Sequence, residues 1–74
     1  RNLGRENLLK LFAKEFYQSE LTREIKEKYS FYRERDFQRL LIYKYAKKGE
    51  LTQTQIAIKL GITLRTVNYI INGY

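Results

Sequence analysis

The 74 residues are enough for one domain, and a chain of this length buries only about 60% of its unfolded surface. The absence of cysteine and histidine excludes a disulfide framework, a thiolate zinc site and the commonest general base. Fifteen basic against eight acidic side chains leave a net charge of +7, which favours nucleic acid or an anionic membrane face as partner, although charge can serve solubility alone. No apolar run approaches the roughly 20 residues that cross a bilayer. Because the chain begins with Arg1, it could be a piece of a longer protein.

Two helices are expected in the first 32 residues. The first should run from residue 5 to about 18, because apolar side chains recur at helical spacing, namely Leu8, Leu9, Phe12 and Phe16. Ser19 could cap a second helix, with the letters SFY as the connection that follows it. The apolar residues of this second helix would be Leu21, Ile25 and Tyr29.

A third helix is predicted over residues 33–48. It places four apolar residues on one face, namely Phe37, Leu40, Leu41 and Tyr45, and Gly49 follows as a helix-ending residue. No stretch alternates with period two long enough to make a strand. The sequence therefore predicts an all-α domain of four to five short helices, in which residues 1–48 support a C-terminal pair of helices.

The C-terminal pair begins at Thr52. Thr52 and Gln55 have the spacing of a capping box, so a short helix should span about 53–60. Thr63 begins the next helix, over about 63–72, and Gly73 can end it. Gly61 would then lie in a three-residue turn, where a residue at positive φ is needed and glycine adopts it without strain.

A close crossing of these two helices needs small and apolar residues at defined positions. Ala57 supplies a small side chain where the second helix passes over the first. The apolar residues that would meet between the helices are Ile56, Leu60, Ile62, Val67 and Ile70. The polar residues expected to face outward are Gln53, Thr54, Arg65, Thr66 and Asn68.

The segment "TQTQIAIKLGITLRTVNYIING" resembles the helix-turn-helix of bacterial and phage DNA-binding proteins. The residues at the pattern positions are Ile56, Ala57, Leu60, Gly61, Ile62, Val67 and Ile70. Its second half is especially similar to the recognition helix of lactose-repressor-type regulators, and "KKGELTQTQIAIKLG" is similar to the layout of Trp-repressor-type regulators. The chain departs from the former pattern because there the motif opens the protein, whereas here it closes the sequence.

The resemblance implies that the helix over 63–72 enters the major groove of double-stranded DNA. Carried over by position, the residues that face bases are Leu64, Arg65, Asn68 and Tyr69. Arg65 would pair with guanine, Asn68 with adenine, and Leu64 would touch a thymine methyl group. Tyr69 could equally be a half-buried packing residue, and Arg65 and Asn68 could be merely solvated.

Contacts to the DNA backbone would come from hydroxyl, amide and ammonium groups. The candidates are Thr52, Gln53, Thr54, Thr63, Thr66, Lys48 and Lys59. Residues 1–48 hold thirteen basic and seven acidic side chains, so most of the excess charge lies outside the motif. The stretches "RERDFQR" and "KYAKK" could supply longer-range attraction, although a mixed-charge helix face is usually only solvated.

The sequence thus favours a sequence-specific DNA-binding protein, most simply a transcriptional regulator in the cytoplasm of a prokaryote or encoded by a phage or plasmid. No catalytic residues, metal site, cofactor, membrane partner or small-molecule ligand are expected. A homodimer could form, with the aromatic stretches "FAKEFY", "YSFY" and "YKY" packed internally or at the dimer contact. The alternatives are a protein-interaction module of the same architecture and the DNA-binding module of a larger transposase or endonuclease.

Overall fold

The computed structural model describes residues 4–73, and this part of the chain is all-α, as the sequence predicts. Its helices are α1 (Arg5–Phe12), α2 (Arg23–Lys28), α3 (Glu34–Lys48), α4 (Gln53–Leu60) and α5 (Leu64–Asn72). A single π-helical segment, Ala13–Tyr17, continues α1. The described residues contain no strand and no helix that is both long and apolar enough to cross a membrane.

The prediction of one regular helix from residue 5 to about 18, with Phe16 inward, is wrong in its second half. The α-helical turns end at Phe12, and the wider π-helical turn shifts the side chains that follow out of the 3.6-residue period. Ala13 takes the buried position, while Phe16 is exposed and stacks on Phe12 with 4.6 Å between ring centroids. Gln18 ends the segment in the left-handed region, with φ of 53°.

The cap of α2 is Thr22 rather than Ser19. The Ile25 N–H donates to Thr22 Oγ1 over 3.3 Å, whereas the Ser19 hydroxyl donates to the Glu20 carbonyl. Gln18 is left-handed and residues 18–22 are not helical, so α2 starts only after them. The helix keeps Ile25 buried, as predicted.

The core is built around α3, which packs against α1, α4 and α5. Contact on several sides explains why α3 buries a broader sector than the single stripe predicted for it: Ile42 is buried, and so is the amide residue Gln38. One cluster of buried side chains joins the elements: Leu8, Leu9, Phe12, Ala13, Ile25, Phe37, Leu41, Ile42, Tyr45, Ile56, Ala57, Leu60, Val67 and Ile70.

The turn between α4 and α5 is closed by two backbone hydrogen bonds. The Ile62 N–H donates to the Ala57 carbonyl over 3.0 Å, and the Gly61 N–H donates to the Ile58 carbonyl over 3.2 Å. This pair of bonds is the Schellman arrangement, in which the residue after the helix is left-handed. Gly61 has φ of 68°, so the predicted positive φ at this position is confirmed.

Aromatic rings from two of the predicted stretches, "FAKEFY" and "YSFY", form one cluster around Phe12. Phe12 contacts the rings of Phe16, Tyr17, Tyr29 and Phe37, with centroids 4.6–6.0 Å apart. Tyr32 extends the cluster by packing on Tyr29 and Phe37. Arg5 ties this cluster to the connection after α2, since its guanidinium donates to the carbonyls of Tyr29 and Tyr32 over 2.9 and 2.8 Å.

Two tyrosine hydroxyls, those of Tyr29 and Tyr45, resist ionisation. Burial and a 2.8 Å hydrogen bond to the Glu15 carboxylate raise the pKa of Tyr45 well above its usual range. A 2.6 Å hydrogen bond to the Tyr17 hydroxyl, with burial as the second cause, raises the pKa of Tyr29 to about 12. Both shifts mean that the folded chain favours the neutral phenol.

The raised pKa values predict a loss of stability in alkali. Stability from the neutral phenols is fully present below the unfolded tyrosine pKa of about 10 and is lost as pH rises through the folded values. The free energy of unfolding, measured by urea titration at pH 8, 10 and 11, should therefore fall over this range. Tyr45→Phe, which cannot ionise, should show a smaller fall, and an equal fall in both proteins would contradict the assignment.

Substitution of Gly61 should destabilise the fold. A side chain in the left-handed region costs roughly 1–2 kcal/mol, and a β-branched residue suffers most there. Gly61→Val should therefore lower the melting temperature by at least about 5 °C for a domain of this size. Gly61→Asn is the matched control, because asparagine tolerates positive φ and should lose much less. Equal melting temperatures for the wild type and Gly61→Val would rule out this turn.

Candidate nucleic-acid interface

The helix α5 has one buried and one solvent-exposed side. Val67 and Ile70 are buried against the core, and the exposed side carries Leu64, Arg65 and Tyr69. Asn68 is half-buried at the edge of this surface. At 100° per residue these four predicted base-contact residues fall within a sector of about 140°. Tyr69 is 51% exposed, which fits both roles predicted for it, a DNA contact and a half-buried packing residue.

The motif residues largely occupy the interior, as expected. Ile56, Ala57 and Leu60 of α4 are buried, together with the two apolar residues of α5 described above. Ile62 and Gly61 are only half-buried in the turn, and Ile62 packs against the core. This arrangement fixes which side of α5 faces solvent, because a rotation of the helix would expose its buried apolar residues.

Threonine hydroxyls cap both helices. Thr52 Oγ1 accepts from the Gln55 N–H over 3.2 Å, while Gln55 Oε1 accepts from the Thr52 N–H over 2.9 Å. Thr63 Oγ1 accepts from the Thr66 N–H over 3.2 Å and shares a 2.9 Å bond with the Thr66 hydroxyl. The predicted capping box is thus confirmed. A threonine hydroxyl both accepts and donates, so Thr52 keeps a hydrogen with which to bind an external acceptor, and so does whichever of Thr63 and Thr66 accepts the bond between them.

The N-termini of α4 and α5 differ from those of the other helices in charge. Each of α1, α2 and α3 places an acidic residue in its first turn, where it offsets the positive end of the helix dipole. α4 and α5 have none, and no acidic residue occurs between Leu51 and Gly73. Gln53 and Thr54, predicted to contact phosphates, are exposed in this first turn of α4.

The two lysines predicted to contact DNA phosphates lie in different environments. Lys48 is close to two carboxylates, with its Nζ atom 3.7 Å from Glu15 and 3.8 Å from Glu50. Its charge is therefore partly offset within the protein. Lys59 is exposed on α4, and its ammonium group lies over the Tyr45 ring, 5.8 Å from the centroid.

An arginine of α3 joins the predicted interface. Arg35 lines one shallow depression together with Arg65, Thr66 and Tyr69 of α5. A neighbouring depression is lined by Glu34 and Arg35 of α3 and by Thr63 and Thr66. The sequence placed Arg35 only within a mixed-charge helix face. Local spacing cannot reveal its proximity to α5, since that depends on how two helices nearly 30 residues apart pack together.

Among residues 4–73, no group of three or more acidic side chains is arranged to hold a metal ion. Comparison of the chain with protein-family models, curated proteins and solved structures finds no match.

Proposed function

We propose that the protein binds double-stranded DNA in a sequence-specific manner and acts as a transcriptional regulator. In this proposal α4, the turn at Gly61 and α5 form a helix-turn-helix, and α5 enters the major groove. Arg65 pairs with guanine, Asn68 with adenine, Leu64 contacts a thymine methyl group, and Tyr69 packs beside a base.

The observation that carries this proposal is the two-sided character of α5. One side anchors the helix in the core, while the other offers an arginine, an exposed leucine and an exposed tyrosine to solvent with no acidic neighbour on the same helix. A nine-residue helix fits a groove about 12 Å wide, and base edges there present acceptors to arginine and methyl groups to apolar side chains.

Charge and caps support contact with the backbone. A net charge of +7 on so small a chain attracts a polyanion over a distance. At short range, the first-turn amides of α4 and α5 and the hydroxyls of Thr52 and Thr63 suit phosphate oxygens. Gln53, Thr54, Thr66, Lys48 and Lys59 would complete this backbone contact.

A two-fold dimer would give the protein enough base contacts for specificity. Dimers of this class place their two recognition helices about 34 Å apart, on successive turns of the major groove. This arrangement, like a cytoplasmic location in a prokaryote or a phage or plasmid origin, belongs to the proposal.

Two exposed apolar side chains favour a second candidate, a protein-interaction module. Phe31 is 94% exposed after α2, and Ile58 is 75% exposed on α4. A salt titration separates the candidates, because phosphate contacts make log K fall linearly with log salt concentration, and only DNA reading predicts a preferred sequence. Selection of bound duplexes from a random pool would supply that sequence, and a palindrome would establish the dimer as well. A larger transposase or endonuclease containing this module would share its preferred sequence.

Arg65 should determine part of the sequence preference. Arg65→Ala should cost roughly 1–3 kcal/mol on the selected duplex and flatten the preference at one base pair, because a bidentate contact to guanine is lost. Affinity for random duplex should change little. Arg23→Ala, which removes the same charge from α2, is the control and should leave the preference intact. Equal losses on selected and random duplexes would place Arg65 on the backbone instead.

The cap of α5 allows folding and DNA binding to be separated. Aspartate is an N-cap residue at least as good as threonine, so Thr63→Asp should keep the melting temperature within about 5 °C of the wild type. Its carboxylate would lie where a phosphate is expected, so binding to every duplex should weaken at least tenfold. Thr22→Asp, the same change at the cap of α2, should leave binding nearly unchanged. Undiminished binding by Thr63→Asp would argue against phosphate contact at this helix end.

A further inference from the structure

The N-terminal turn of α3 borders the N-terminal half of α5. Arg35 shares one depression with Arg65 and Tyr69, and both Arg35 and Glu34 share the neighbouring depression with Thr63. The side of α5 that would enter DNA is thus flanked by a second helix, which carries one cationic and one anionic side chain.

Packing fixes this neighbourhood. α3 and α5 are in contact, and the Tyr43 hydroxyl donates to the Ile70 carbonyl over 2.9 Å. Tyr43 lies eight residues after Arg35, which places both on the same side of α3. At the start of α3, the Arg33 N–H donates to Asp36 Oδ2 over 2.8 Å, so the backbone on both sides of Arg35 is held by the cap.

The charge of Arg35 is available to a partner. Within residues 4–73, no carboxylate lies within ion-pair distance of Arg35 or Arg65. Asp36 is engaged in the cap of α3, and Arg35 itself is exposed. An arginine that is exposed, lacks an ion pair and lies on a positioned backbone suits recognition of an anion with two oxygens.

We infer that Arg35 binds a phosphate on the rim of the DNA groove that α5 enters. This inference rests on the proposed function. A side chain beside the inserted helix, rather than on it, meets the wall of the groove, where the phosphates lie and the base edges do not. Arg35 would thereby set the position of α5 on the duplex, while Arg65 reads the sequence. The Glu34 carboxylate would repel the same phosphate. Arg35 should therefore raise the affinity for DNA, and Glu34 should lower it.

The experiment measures binding as a function of salt concentration. The duplexes are the one selected from a random pool and a random duplex of equal length. The proteins are the wild type, Arg35→Ala, Glu34→Gln and the control Arg23→Ala. Loss of one phosphate contact should reduce the slope of log K against log salt by about 0.9. A fourfold rise in salt should then reduce the affinity of the wild type about 3.5 times more than it reduces the affinity of Arg35→Ala.

Three results together are expected. Arg35→Ala should lose the same factor of affinity on both duplexes and keep the sequence preference. Glu34→Gln should bind both duplexes more tightly, and Arg23→Ala should keep the wild-type slope. Because Arg35 is exposed, Arg35→Ala should unfold at the wild-type temperature. Glu34→Gln removes a first-turn charge that is worth about 0.3–1 kcal/mol, so it should unfold slightly earlier yet remain folded at the temperature of the binding experiment.

Other outcomes overturn the inference in distinguishable ways. A wild-type protein that binds DNA and an Arg35→Ala variant with an unchanged slope would remove Arg35 from the interface and leave the proposed function standing. A change of preference at one base pair would make Arg35 a base-reading residue. A wild-type protein that binds neither duplex, with no enriched sequence, would overturn the proposed function and this inference with it.

Discussion

The closure of α4 at Gly61 is the constraint on which the candidate interface depends. The Ile62 and Gly61 amides end α4 within one turn, and the chain can leave the helix in that direction only because Gly61 tolerates φ of 68°. Thr63 then starts α5 two residues later. So short a connection leaves α5 little freedom, and burial of Val67 and Ile70 removes the rest by fixing its rotation about its own axis.

Acidic side chains occur in the first half of the domain and are absent from the segment that forms the candidate interface. In the first half, carboxylates interact within the protein: Glu6 pairs with Lys26, and Glu15 pairs with Lys48. Each of the first three helices also has an acidic residue in its first turn. The second half has no acidic residue from Leu51 to Gly73. A chain with a net charge of +7 repels itself, and that repulsion is relieved when a polyanion neutralises part of it.

The sequence predicts the C-terminal helices well because their signals are local. A capping box, a glycine at positive φ and a threonine cap each act within four residues, so α4 and the start of α5 are found almost to the residue. The signals fail where tertiary packing intervenes. The π-helical segment interrupts the 3.6-residue period that would have buried Phe16. Gln18 adopts a left-handed conformation that its residue type does not predict. The sequence does not predict Arg35 as an interface residue for a related reason, because only the packing of α3 on α5 brings it to the surface that carries Arg65.

In the proposed function, the small size of α5 makes the residues around it important for DNA binding. Nine residues expose few side chains to a groove, and a bidentate arginine contact is worth only about 1–3 kcal/mol of discrimination. In the proposed function, nonspecific affinity for DNA would therefore come from phosphate contacts beside the helix, and their number would set how steeply binding depends on salt. Arg35 of α3 lies beside α5, where it lines one depression with Arg65 and Tyr69. In the proposed complex, a duplex held by Arg35 would be positioned for Arg65 to meet a base, and this would allow a short helix to discriminate between sequences.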